Sequence, residues 1–293
     1  MDLNYYSIRE LLDSAKKEGL PLSSLVLTQQ AEQLELTEEE VYNKMRENYL
    51  VMRASIEPGC DPDLRSTSGL TGGDAYKMKC AVEQKKNLTG SLLGGALYRA
   101  LAVSELNASM GRIVAAPTAG SCGIVPAAVL TMEEMYHLSE KECVMSLFTA
   151  SAVGMVIANN ASLAGAEGGC QAECGSAAAM AAAAVVELAG GTPDMIDSAV
   201  AITLKSRKRH ACHTSRNRRR RTCRHSYRTK AFRSGLRKTL QPQNLWRLNF
   251  SRTKDLACGI LRCHKKSCAD FIPCTGFFIL YKIFSFSYTY LKR

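Results

Sequence analysis

The stretch GGCQAECGSAAAMAAAAVVELAGG, Gly168 to Gly191, constrains the fold more than any other part of this chain. Its alanine run is a strong helix former, and such small side chains let neighbouring helices approach closely, so the segment predicts a central buried helix. Ser176 reads as the N-cap, Leu188 as the last apolar position, and Gly190 and Gly191 as the stop, with Pro193 just beyond. Cys170 and Cys174 then lie at the mouth of the helix, where first-turn N–H groups and the positive dipole end favour thiolate over thiol. A thiolate there suits a soft metal; two buried, inert cysteines beside a packing helix are the plainer alternative.

Charge divides the chain sharply. Residues 1–206 carry 15 Lys and Arg against 25 Asp and Glu, a net of −10, whereas residues 207–293 carry 23 against 2, a net of +21. The overall +11 is therefore the average of two unlike parts, and the break marks a domain boundary or a change in what the sequence encodes. The polar, amphipathic start MDLNYYSIRELLDSAKKEG does not read as a secretory leader. Twelve cysteines without such a leader point to a reducing cytoplasm, and to metal-binding or inert thiols rather than disulfides. No apolar run reads as a membrane span: Val144 to Ala166 comes nearest, and Asn159 and Asn160 interrupt it.

Helices separated by Gly-rich loops dominate residues 1–206, which predicts a mainly α domain. Ser7–Glu10 and Thr37–Glu40 fit capping boxes, and Val41, Met45, Tyr49 and Met52 recur at helical spacing up to a stop at Pro58 and Gly59. Cys60 to Lys79 reads as a loop in which Ser68, Thr71, Gly72 and Gly73 offer hydroxyls and exposed amides, a turn able to wrap a small anion or simply to connect helices. Pro117 to Gly123 feeds another helix with Pro126 in its first turn, so the amides of Gly120, Ser121 and Cys122 form a natural carboxylate seat or a plain helix entry. Asn159 and Asn160 sit in so apolar a setting that leaving them unpaired would cost about 1–3 kcal/mol each. Facing a polar site and capping the backbone are both ways to satisfy them.

Taken together, SGLTGGDA (68–75), SELNASMG (104–111), PTAGSCG (117–123), ANNAS (158–162), GGCQAECGSAAAMAAAA (168–184), AGGTPD (189–194) and AITLK (201–205) closely resemble the α chain, or catalytic domain, of the bacterial iron–sulfur-dependent L-serine dehydratases. The resemblance implies an all-helical catalytic domain over residues 1–206 and a [4Fe–4S] cluster held by three cysteines, its open iron acting as Lewis acid in the β-elimination of water from L-serine to give pyruvate and ammonia. It places the first cluster cysteine at Cys170. On it, Ser68, Thr71, Gly72, Gly73, Thr118, Gly120 and Ser121 would seat the substrate carboxylate and hydroxyl, with Asn159, a candidate from its own polar character, as a further substrate-binding residue, and it implies a β-chain partner. β-Elimination on another amino acid, such as cysteine losing sulfide, is the nearest alternative chemistry. A pyridoxal-phosphate dehydratase finds no convincing Schiff-base lysine setting in the chain.

The family's second and third cluster cysteines belong to an apolar loop shortly after AITLK, and here the chain departs. Cys212 falls seven residues after Lys205 and Cys223 eleven after Cys212, spacings that match the family, but Arg216, Arg218 to Arg221 and Arg224 crowd the segment. A low-dielectric cluster pocket does not readily accept that many unpaired cations. Three readings of residues 207–293 stand: a shifted reading frame, which accounts for the abrupt change in composition; a divergent tail keeping two ligands by spacing; or an unrelated appended segment. The arginine run also has the composition of a non-catalytic nucleic-acid binder, although an out-of-frame arginine stretch explains it more simply. Cys258, Cys263, Cys268 and Cys274 with His264 lack the paired spacing of a zinc ribbon.

Overall fold

A computed structural model describes residues 5–163 and 165–214, with the backbone alone for 165, 166 and 206–214. Among the described residues the regular structure is helical: α1 (Ile8–Glu18), α2 (Leu22–Leu34), α3 (Glu38–Ala54), α4 (Ile56–Gly59), α5 (Asp74–Glu83), α6 (Gly90–Ala108), α7 (Ile124–Tyr136), α8 (Glu140–Asn160), α9 (Gly165–Gly168), α10 (Cys170–Leu188) and α11 (Pro193–Thr214), with a 3-10 turn at Ala119–Ser121. The mainly α expectation is met.

Helix α10 is the central element, packed against α7, α8 and α11. Ala177, Ala178, Ala179, Ala181, Ala183 and Ala184 are all fully buried, so a methyl group is the largest side chain these interfaces hold at those positions. Around this spine α2 and α3 cover α8, α1 lies on α11, and α4, α5 and α7 pack against α6. Tyr49, Phe148, Leu11 and Leu25 fill the remaining volume as the largest fully buried side chains. By length and composition α8 is apolar enough to cross a membrane, although two-thirds of its apolar window (67%) is buried against its neighbours. The asparagines that interrupt it in sequence form its last turn.

Several boundaries differ from the sequence expectation. Helix α10 starts at Cys170, six residues before Ser176, with Gly169 (φ 73°) as its N-cap. Ser176 is buried inside the helix and donates its hydroxyl to the Ala172 carbonyl at 2.7 Å. Ala172, Cys174 and Gly175 of the same segment are buried as well, so packing carries the helix through residues that read as a loop. The Thr37–Glu40 capping box is present in full. Ser7 caps α1, but Glu10 reaches back to the Tyr6 N–H rather than that of Ser7. Helix α3 itself ends at Ala54, and after Ser55 the residues Pro58 and Gly59 close the single turn of α4. The loop read as Cys60–Lys79 ends at Gly73, where α5 begins.

Candidate functional site

The C-terminal end of α6, in the segment SELNASMG, ties two glycine loops together. Helix α5 starts without a side-chain cap of its own, which leaves its first N–H groups in need of acceptors. Glu105 of α6, only 8% exposed, supplies them: its carboxylate accepts from the N–H groups of Gly73 (3.0 Å), Asp74 (3.0 Å) and Ala75 (3.3 Å). The anion-wrapping capacity read into this turn is thus used by a side chain of the protein itself. Burial pushes the Glu105 carboxyl above the usual carboxylate range, and the three backbone donors pull against that shift without cancelling it.

The rest of this loop folds on itself. The Ser66 N–H donates to the Thr71 carbonyl (2.9 Å), the Thr71 N–H to the Ser66 hydroxyl (3.2 Å), and the Thr67 N–H to the Ala108 carbonyl at the end of α6 (3.0 Å). The hydroxyls of Ser66 and Ser68 lie 3.1 Å apart. Gly72 has φ 139°, and a Cβ there would lie 2.1 Å from the Leu64 carbonyl oxygen, so only glycine fits. Ser68 is left exposed and Thr71 half-buried.

The second loop, Pro117–Gly123, meets the same end of α6. Asn107 donates its side-chain amide to the Ala119 carbonyl at 3.1 Å. Of the three amides expected to seat an anion, those of Ser121 and Cys122 close the 3-10 turn instead, donating to the carbonyls of Thr118 (3.2 Å) and Ala119 (3.4 Å). Thr118 and Ser121 hydroxyls share a hydrogen bond of 3.2 Å, and Ser121 is buried. Cys122 packs with its sulfur 3.9 Å from the Val103 carbonyl, and burial raises its thiol to about 12, with Cys174 adding to the shift. A neutral, buried thiol fills space there.

The first turn of α10 completes the constellation. Glu173 lays its carboxylate on Gly120: a Cβ on that glycine would lie 3.1 and 3.4 Å from the two carboxylate oxygens. Cys170, three residues earlier on the same helix, is exposed, while Cys174 is buried. One chain of contacts therefore joins the Ser66–Ala75 loop, the end of α6, the Pro117–Gly123 loop and the start of α10. Ser68, Thr71, Gly72 and Gly73 lie on the first loop and Thr118, Gly120 and Ser121 on the second, each loop bonded to the end of α6, and Cys170 is one turn from Glu173.

Asn159 is placed elsewhere. It is exposed at the end of α8 and donates to the Tyr5 carbonyl at 3.4 Å, while Asn160 donates to the carbonyls of Tyr6 (2.9 Å) and Val156 (2.8 Å). The pair fastens the N-terminal segment to α8: exposure removes the cost of an apolar setting for Asn159, and two hydrogen bonds satisfy the half-buried Asn160. Cys212 lies in α11, where only the backbone is described; Cys223, the arginine run and the four later cysteines lie outside the described residues. Among the described residues no three His, Cys, Asp or Glu side chains are grouped to hold a metal ion. Glu105, Asn107 and Glu173 escaped the sequence reading, although the motifs containing them were visible in it.

A family model described as "Serine dehydratase alpha chain" matches residues 17–208. The chain is 44% identical over 202 residues to a "Probable L-serine dehydratase, alpha chain" of Bacillus subtilis, covering 69% of this chain and 67% of that one. It is 40% identical over 196 residues to the "L-serine dehydratase, alpha chain" of Peptoniphilus asaccharolyticus, with 67% of each covered. An "L-serine dehydratase" of Streptomyces coelicolor is 36% identical over 203 residues, 67% of this chain but 43% of that longer protein. With the helical fold and its gathered loops, these matches establish that the chain belongs to the serine dehydratase alpha chain family.

Proposed function

We propose that the protein deaminates L-serine to pyruvate and ammonia by β-elimination of water, as a cytoplasmic enzyme working with a β chain. The observation that carries this reading is the meeting of both glycine loops at the end of α6, with the Cys170 turn lying against the second of them. Serine offers a carboxylate, a hydroxyl and an ammonium group. The hydroxyls of Ser68, Thr71, Thr118 and Ser121 and the N–H of Gly120 are the groups proposed to hold the first two. Gly72 and Gly73 shape the turn that presents Ser68 and Thr71, and Asn159 would take part only through a different placement of the α8 end. Hydroxide is a poor leaving group, so loss of the hydroxyl needs an electrophile beside it and a base at the α-carbon. The enamine released hydrolyses to pyruvate and ammonia in water.

A [4Fe–4S] cluster would supply the Lewis acid that stabilises the departing hydroxide. The described residues offer it one exposed thiol, Cys170, and not a complete ligand set. Cys212 and Cys223 are the proposed remaining ligands. The test is an assay on the full chain, reconstituted with iron and sulfide without oxygen and mixed with a β chain. Pyruvate and ammonia released in equal amounts from L-serine support the reading. Sulfide from L-cysteine with no pyruvate from serine would replace it with the desulfidase reading.

A further inference from the structure

The reaction proposed above leaves the ammonium group of the substrate without a partner. An ammonium ion taken out of water calls for an anion or a set of acceptors. Three acids lie on the segments that converge here. Asp74 pairs with Lys77 at 2.9 Å and faces solvent. Glu105 spends both oxygens on the backbone N–H groups of Gly73, Asp74 and Ala75. Glu173 has neither a hydrogen bond nor an ion pair recorded among the described residues, although it is half-buried.

The position of Glu173 follows from three features of the chain. Its place in the first turn of a 19-residue helix suits a negative charge. The absence of a side chain at Gly120 lets both carboxylate oxygens rest on the loop backbone, where any Cβ would press within 3.1 Å of one of them. Its spacing from Cys170, three residues, puts the two side chains on one face of α10. The result is an unspent carboxylate lying on the loop proposed to hold the substrate carboxylate and hydroxyl, one turn from the exposed thiol.

We infer that Glu173 is the substrate-binding residue that receives the α-ammonium group and so selects amino acids over hydroxy acids. The inference rests on the serine dehydratase reading. Binding would form N–H···O hydrogen bonds from the ammonium to the Glu173 oxygens and break no covalent bond.

Titration calorimetry on the full chain, reconstituted without oxygen and with its β chain, tests this with two probes. One is L-serine; the other is L-glycerate, which carries a hydroxyl where serine carries its ammonium group. The wild-type protein is expected to prefer serine. Glu173→Gln should weaken serine binding by about tenfold or more, the worth of one charge-assisted hydrogen bond, and leave glycerate within about twofold. Glu173→Asp keeps the charge and should keep part of the preference. Serine binding unchanged in Glu173→Gln would overturn the inference, as would equal weakening of both probes. A fall in kcat and in proton exchange at the α-carbon, with serine affinity intact, would overturn it too and make Glu173 the base. A wild-type protein that binds neither probe would instead remove the dehydratase reading on which the inference rests.

Discussion

Glu105 holds the turn at Gly73 to Ala75, 30 to 32 residues before it in the sequence, and no local pattern announces such a bond. The segment SELNASMG was legible as family-like, but the partner of its acid was not, because the sequence of a tertiary cap shows only the capping residue and a helix start lacking its own. Gly73 was legible for the opposite reason: a glycine pair before a helix is a local signal of a tight turn. Replacing Glu105 by alanine strands the α5 donors at a buried junction and should lower unfolding free energy by about 2–3 kcal/mol in chemical denaturation. Glu187 gives a pH prediction. Burial raises its carboxyl, while hydrogen bonds from Ser23 and Thr149 oppose the shift. An acid whose pKa is higher folded than unfolded contributes stability that is complete below the unfolded value, near 4.5, and is lost as pH rises through the folded value. Glu187→Gln should therefore flatten the decline of melting temperature with rising pH above that point; a decline as steep as in wild type would refute the assignment.

At the scale of elements, α10 shows what the sequence reveals about a helix and what it hides. The alanine run, the Gly190–Gly191 stop and the burial of the helix were legible, since composition and helix punctuation are local. Its start was not. Serine six residues inside the helix mimics an N-cap, and only packing reveals that Cys170 to Gly175 are already helical. Ser176→Ala separates the two placements. It should leave stability within about 1 kcal/mol of wild type, whereas removal of an N-cap costs about 0.5–2 kcal/mol and frays the first turn. Ala178 reports on the packing of the same helix, being fully buried at its interface. Ala178→Leu forces extra volume into that interface and should cost roughly 1–3 kcal/mol in denaturant unfolding. Wild-type stability in this variant would mean that α10 is not tightly packed.

Across the whole molecule the charge break and the family match end almost together, at residues 206 and 208. Helix α11 runs through both positions to Thr214, so the backbone shows no interruption where the composition changes. The described fold holds the glycine loops and the exposed Cys170; the proposed Cys212 and Cys223 ligands belong to the basic part. That division explains why the fold could be read from the sequence and the proposed metal centre could not: the residues that pack the helices lie before residue 206, whereas the proposed ligands Cys212 and Cys223 have neighbours that depart from the family pattern. The direct test is the iron and acid-labile sulfide content of the full chain, reconstituted without oxygen, compared with that of its Cys170→Ser variant. The account predicts about four of each per wild-type chain, with clear loss in the variant. A wild-type chain that takes up no iron, or a variant that holds as much as wild type, would contradict it.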